Sequence, residues 1–213
     1  MWYCHSLDPA GGRRVSSKMI VYLVRHGETT LSSRGLYGRS PGVHLNAPGK
    51  AQAEKIANHL AAQPIQAIYS SPMERALETA APLASAKGIS VQSLAAFTEV
   101  DQGEWTGQTW DQLRGDPSWR LYNTFRSGTS CPNGEMAVEV QARAVRELGR
   151  LLAVAGDQHV AIVSHADVIR SAVCFYAGIP LDLSLRVEIG LGSISTLDLR
   201  RDAVRIVELN RTP

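Results

Sequence analysis

The chain has 213 residues, enough for one domain with a proper core, and its 44% hydrophobic and 20% charged content is that of an ordinary globular protein. A net charge of +2 argues against nucleic acid or a membrane surface as partner, so any basic patch is local. No apolar run approaches the ~20 residues that cross a bilayer, and three scattered cysteines (Cys4, Cys131, Cys174) without metal-type spacing read as reduced thiols of a cytoplasmic protein.

Residues 1–18 carry Gly11-Gly12-Arg13-Arg14, which has the look of a twin-arginine export signal. The apolar stretch behind it is short and ends at Arg25, so no h-region follows. These residues are expected to form a flexible N-terminal extension, with Met19 a candidate start and residues 19–213 a single domain. Residues 20–24 are a short apolar run of the kind that forms a buried parallel strand, and they lead directly into Arg25-His26-Gly27. Ligands of open α/β sheets bind outside the carboxyl ends of strands. A fixed cation and an imidazole are therefore expected in the ligand crevice, with Gly27 allowing close backbone approach.

Residues 27–45 are rich in Gly, Ser and Arg without a period, the signature of a long functional loop. Asn46 and Pro48 start a helix whose apolar stripe is Ala53, Ile56, Ala57 and Leu60. Residues 65–69 form a second strand, and a helix follows Pro72 as far as Lys87-Gly88. A third strand is expected at 91–94, short helices near 108–114 and 117–126, and a long amphipathic helix along Met136, Val140, Ala144, Leu148 and Leu151. Residues 160–164 form another buried strand, running into His165 and a helix that ends at Gly178. Residues 193–199 and 204–209 form an antiparallel hairpin. This alternation predicts a three-layer α/β/α sandwich with a mainly parallel central sheet.

Three strand ends thus carry Arg25-His26, Arg75 and His165, and the helix after His165 turns its free N–H groups toward the same crevice. Two guanidinium groups, two imidazoles and a helix N-terminus fit phosphate best, because guanidinium binds its oxygens bidentately. A metal site built on His165, Asp167 and Glu28 competes poorly, since two further spaced ligands are missing. Arg75 has a surface alternative, pairing with Glu74 or Glu78, and the three tryptophans Trp105, Trp110 and Trp119 read as packing for the irregular segment. His5, His44, His59 and His159 default to structure or solvent.

Val24-Arg25-His26-Gly27-Glu28-Thr29, Ser70-Ser71-Pro72-Met73-Glu74-Arg75-Ala76 with Thr79-Ala80, and Val163-Ser164-His165-Ala166 resemble, in order, the motifs of the histidine phosphatase superfamily, the phosphoglycerate mutase-like group. Phe97-Thr98-Glu99, Gly103-Glu104-Trp105-Thr106-Gly107 and Pro132-Asn133-Gly134-Glu135 extend the resemblance from about residue 19 to the C-terminus. It implies the phosphoglycerate mutase-like fold and hydrolysis of small phosphomonoesters through a phosphohistidine, without metal or other cofactor, as in phosphoric monoester hydrolases of the histidine acid phosphatase type. His26 would be the nucleophile, Glu99 the general acid and then base, and His165 an electrostatic stabiliser. Arg25, Arg75, Ser32 and the backbone of Ala166 would bind phosphate, with Arg39 a candidate substrate contact. Glu104 and Glu28 compete with Glu99 for the carboxylate role. Ser32 stands where the family commonly has Asn, which weakens that contact. The long insertion of the mutase branch after Glu99 is missing, so hydrolysis is favoured over a phosphoglycerate-type mutase, with a non-catalytic phospho-ligand module as the rival from another class. The implied partner is a small phosphorylated metabolite, with no nucleic acid and no membrane, and the protein a monomer or homodimer.

Overall fold

The computed structural model describes residues 18–213. The expectation for residues 1–17 lies outside them, while Lys18 is not part of an extension but opens the first strand. A six-stranded sheet has the order β3-β2-β4-β1-β5-β6, built from β1 (Lys18–Arg25), β2 (Ile65–Ser70), β3 (Val91–Ser93), β4 (Gln158–Ser164), β5 (Ile194–Arg200) and β6 (Val204–Arg211). β1–β4, β4–β2 and β2–β3 pair in parallel, whereas β5 is antiparallel to β1 and to β6. The sheet is therefore mostly parallel, with an antiparallel hairpin added at one edge.

The described residues also form six α-helices: α1 (Ala47–Leu60), α2 (Glu74–Lys87), α3 (Trp110–Gly115), α4 (Pro117–Thr124), α5 (Ala137–Ala155) and α6 (Ala166–Ala177). The alternation of side chains along β1 builds the three layers. Met19, Val21 and Leu23 enter a core with Val140, Leu148 and Ile169 of α5 and α6. Tyr22 and Val24 enter a second core on the opposite face, with Ile56 and Leu60 of α1 and Ala80 and Leu83 of α2.

Local chemistry sets the helix ends that matter for the site. Asn46 caps α1, its side-chain oxygen accepting from the Gly49 N–H at 2.8 Å, with Pro48 in the first turn. Gly88 closes α2 and Gly178 closes α6, both in the left-handed conformation that a β-carbon disfavours. Pro82 lies inside α2, a position that simple propensity discourages. Trp105 is almost fully buried, edge-on to Trp119 and Tyr122 at 5.1 and 5.3 Å between ring centres, and anchors the irregular segment between β3 and α5. Cys131 and Cys174 are buried free thiols. Among the described residues no helix is long and apolar enough to cross a membrane.

Candidate active site

Register brings the two histidines together. Arg25 at the end of β1 lies opposite Ser164 at the end of β4, so His26 and His165 leave adjacent parallel strands side by side. The His26 N–H donates to the Ser164 carbonyl at 3.0 Å, and the imidazole centres are 5.1 Å apart. β2 borders β4 on its other side, and the Ser71 N–H bonds the Val163 carbonyl at 2.8 Å. The chain then enters α2, whose first turn carries Arg75 into the same crevice.

His26 Nδ1 sits 2.8 Å from the Gly27 carbonyl oxygen, which can only accept, so Nδ1 carries the ring proton. Nε2 is left with its lone pair, 3.4 Å from Nε of Arg75. Burial first, then the charges of Arg75 and Arg25, push the His26 pKa down to about 3. His165 is fully buried and held well below its ordinary value by burial, then by His26 and Arg75. Its Nε2 meets Ser71 Oγ at 2.8 Å, while Nδ1 faces Nη2 of Arg75 at 3.3 Å and Oε2 of Glu99 at 3.5 Å.

Arg75 is buried and is no partner of Glu74 or Glu78. Those carboxylates instead hold the preceding loop, accepting from the N–H groups of Gly42 and Leu45 at 3.0 and 2.8 Å. One Arg75 nitrogen donates to the Gly38 carbonyl at 2.8 Å, and Nη1 has no partner. Arg25 donates from Nη1 to the Ile189 carbonyl at 2.7 Å, and its buried Nε is likewise unpartnered. A buried and a half-buried guanidinium, each with a buried orphaned N–H, beside a neutral imidazole form a socket for an anion.

Glu99 stands over this socket, its carboxylate 3.9 Å from Arg75. Burial raises its pKa against the pull of Arg75, and Asp167 raises it further. Glu104 and Glu28 are occupied elsewhere, accepting from Asn133 at 2.5 Å and from Asn46 at 2.7 Å. Asp167, in the first turn of α6, pairs with Arg126 at 3.1 Å and with Arg170. The metal set of His165, Asp167 and Glu28 is thus not assembled. The donors that do converge are His26, Glu99 and His165, within 4.8 Å of one another.

Ser32 lines the cleft but spends its hydroxyl on Thr29, at 3.0 Å from the N–H and 2.9 Å from Oγ1. Ala166 begins α6, so its N–H belongs to the helix turn without intrahelical acceptors. Arg39 does not line the cleft. It donates to the Glu99 carbonyl at 2.8 Å and to Glu135 at 2.9 Å, and lies 3.6 Å from Asp101. Arg143 of α5 meets the same Glu135 at 3.0 Å and donates to the Ala96 carbonyl at 2.7 Å. These two arginines position the loop that carries Glu99. Gly27 also differs from expectation: a β-carbon there would lie 2.6 Å from the Gly49 carbonyl oxygen, and one on Gly49 only 2.0 Å from that of Glu28. This glycine pair lets α1, rather than a ligand, press against the backbone behind His26.

Sequence reasoning gave no individual role to Ser71 and Thr79, which stand only within a motif, and did not name Arg143 or Gln102. Thr79 accepts from the Gly27 N–H at 3.0 Å and donates to the Arg75 carbonyl at 2.7 Å, linking the two halves of the socket. Its place one turn after Arg75 was the available signal. Trp110 packs against the main core and Trp119 and in addition walls the cleft together with Leu31, Leu36, Tyr37 and Val43.

The model of the histidine phosphatase superfamily (branch 1) matches residues 21–212. The chain belongs to this superfamily. An uncharacterized protein of Mycobacterium tuberculosis is 36% identical over 150 residues, 68% of this chain and 72% of that protein. Phosphoserine phosphatase 1 of Hydrogenobacter thermophilus is 27% identical over 192 residues, covering 89% and 91% of the two chains. Among solved structures, the alpha-ribazole phosphatase of Shigella flexneri superposes with a TM-score of 0.81 at 25% identity, over 91% of this chain and 97% of that one. The superfamily's fold therefore accounts for the sheet order and for the convergence of both histidines on one strand-end crevice.

Proposed function

We propose that the chain is a metal-independent phosphomonoesterase of the histidine acid phosphatase type, acting on small phosphorylated metabolites through a phosphohistidine. The observation that carries this is the His26 ring. Its Nδ1 proton is tied to Gly27, and its Nε2 lone pair opens into a socket of buried, unsaturated guanidinium N–H groups. Relatives and solved neighbours named phosphoserine phosphatase and alpha-ribazole phosphatase support it.

Arg25, Arg75 and the Ala166 N–H take the nonbridging phosphate oxygens, with Ser32 a weaker contact because its hydroxyl is shared with Thr29. The His26 Nε2 lone pair forms the N–P bond as the P–O ester bond breaks, and the electron pair leaves with the ester oxygen. Glu99, whose pKa burial raises, gives that oxygen its proton. It then takes one from the water that attacks phosphohistidine, so orthophosphate leaves and the imidazole is restored. Burial first, then the neighbouring charges, keep His165 from taking a second proton. A substrate arriving as the phosphate monoanion can pass its own proton to His165 Nδ1, which then donates it back to the phosphate oxygen as a hydrogen bond.

The trio of His26, Glu99 and His165 has the number of donors for a metal ion, but Arg25 and Arg75 surround it with positive charge, which opposes a dication there. Buried free thiols fit a reducing, cytoplasmic compartment. Enzyme quenched in alkaline denaturant should carry base-stable, acid-labile phosphate on His26, and unquenched phosphoenzyme should pass that phosphate to water. Turnover of an aryl phosphate should vanish in His26→Ala and withstand chelators. Turnover that persists in that variant, or that chelators abolish, overturns the reading.

A further inference from the structure

Resting on that reading, we infer that the preferred substrates are phosphomonoesters with an uncharged, apolar-bodied alcohol, not carboxylate-bearing esters such as amino-acid or sugar-acid phosphates. The cleft divides into two chemically different halves. At the sheet end stand the ionisable groups Arg25, His26, Arg75 and Glu99. The outer half is walled by Leu31, Leu36, Tyr37, Val43 and Trp110, and among the described residues lining it none is charged. A substrate carboxylate lying there would lose its hydration with no cation in return, a cost that a flat apolar body avoids.

Nearby arginines do not remedy this. Arg39 is committed to Glu99, Asp101 and Glu135. Arg34 and Arg114 border a separate surface depression on the far side of Tyr37 and Trp110. The wall is also preformed. Leu36 exchanges backbone hydrogen bonds with Gln108 at 2.9 Å and Gly107 at 2.6 Å, and the Trp110 N–H bonds the Arg34 carbonyl at 3.3 Å. Gly35 packs so tightly on this strand-like contact that a β-carbon would lie 2.1 Å from the Gln108 carbonyl oxygen. Inside the wall, Gln102 is 5% exposed and its Oε1 has no partner, so one amide acceptor remains for a hydroxyl or N–H of the alcohol.

The test compares kcat/KM for 2-phenylethyl phosphate, ethyl phosphate, phosphoserine and 3-phosphoglycerate, all of which release an alkoxide. The phenylethyl ester should exceed both carboxylate esters by about tenfold or more, the scale of one buried ring. Trp110→Ala should lower the phenylethyl-to-ethyl ratio by about tenfold, and Tyr37→Ala provides the same test if the first variant fails to fold. Leu31→Arg should raise the phosphoserine-to-ethyl ratio by about fivefold or more. Wild-type preference for either carboxylate ester overturns the inference and leaves the phosphatase reading intact, as does an unchanged phenylethyl-to-ethyl ratio in folded Trp110→Ala. Failure to turn over any of the four, with no phosphate trapped on His26, overturns both.

Discussion

Replacing His26 by asparagine should flatten the acid side of the stability–pH curve. In the folded protein the ring accepts a second proton only at about 3, against 6.5 for an ordinary histidine. Between those values the unfolded chain binds the proton and the folded chain does not, so stability is full above the unfolded value and declines as pH falls. Integrating that difference from about pH 7.5 down to about pH 5 gives ~2 kcal/mol of lost stability from this one ring, at ~1.36 kcal/mol per unit. His165 adds to the slope in the same direction, and its own depression is partly owed to His26. Removing His26 therefore relaxes both. Urea unfolding of wild type and His26→Asn at the two pH values checks the sum, with imidazole NMR titration assigning it. Parallel curves, or a His26 resonance that titrates near 6.5, would refute the electrostatic basis for a neutral nucleophile.

Glu99→Gln should remove the alkaline limb of the kcat–pH profile, because the raised carboxyl must hold its proton to serve the leaving alkoxide and loses activity as pH rises through its pKa. Turnover of alkyl esters should fall ~10²–10⁴-fold, and an unaltered limb speaks against Glu99 as the acid. Arg39→Met should lower kcat about tenfold with little change in KM, since Arg39 holds the Glu99 loop and does not line the cleft. A rise in KM alone would restore it as a substrate contact. Trp105→Ala should cost ~3–5 kcal/mol in urea unfolding, as expected for deleting an almost fully buried indole. A loss below about 1 kcal/mol would show that the segment packs without it.

Much of the site was legible because its parts are local. An apolar run ending in Arg25-His26-Gly27, and another ending in Ser164-His165, each announce a strand and its functional tip within a few residues. The helix starts at Asn46 and the stops at Gly88 and Gly178 follow equally from short-range chemistry. Contacts across long separations left no such trace. Arg39 and Arg143 reach Glu135 and the Glu99 loop from elements 60 and 44 residues away from Glu99, and no period in either segment marks the meeting. Trp110 looked like its neighbours Trp105 and Trp119, yet backbone ties of residues 107–110 to Arg34 and Leu36, far off in sequence, place it beside the cleft. Lys18 joined β1 because β5 supplies it a partner in Arg200, a pairing across most of the chain.

The Gly27–Gly49 contact gives His26 a remote landlord. The backbone that carries the imidazole is placed by how closely the opening turn of α1 can nestle against it, at a residue that does not line the cleft. Any side chain at position 49 would therefore push α1 off the backbone behind His26, a change that mutational scans confined to the cleft would overlook.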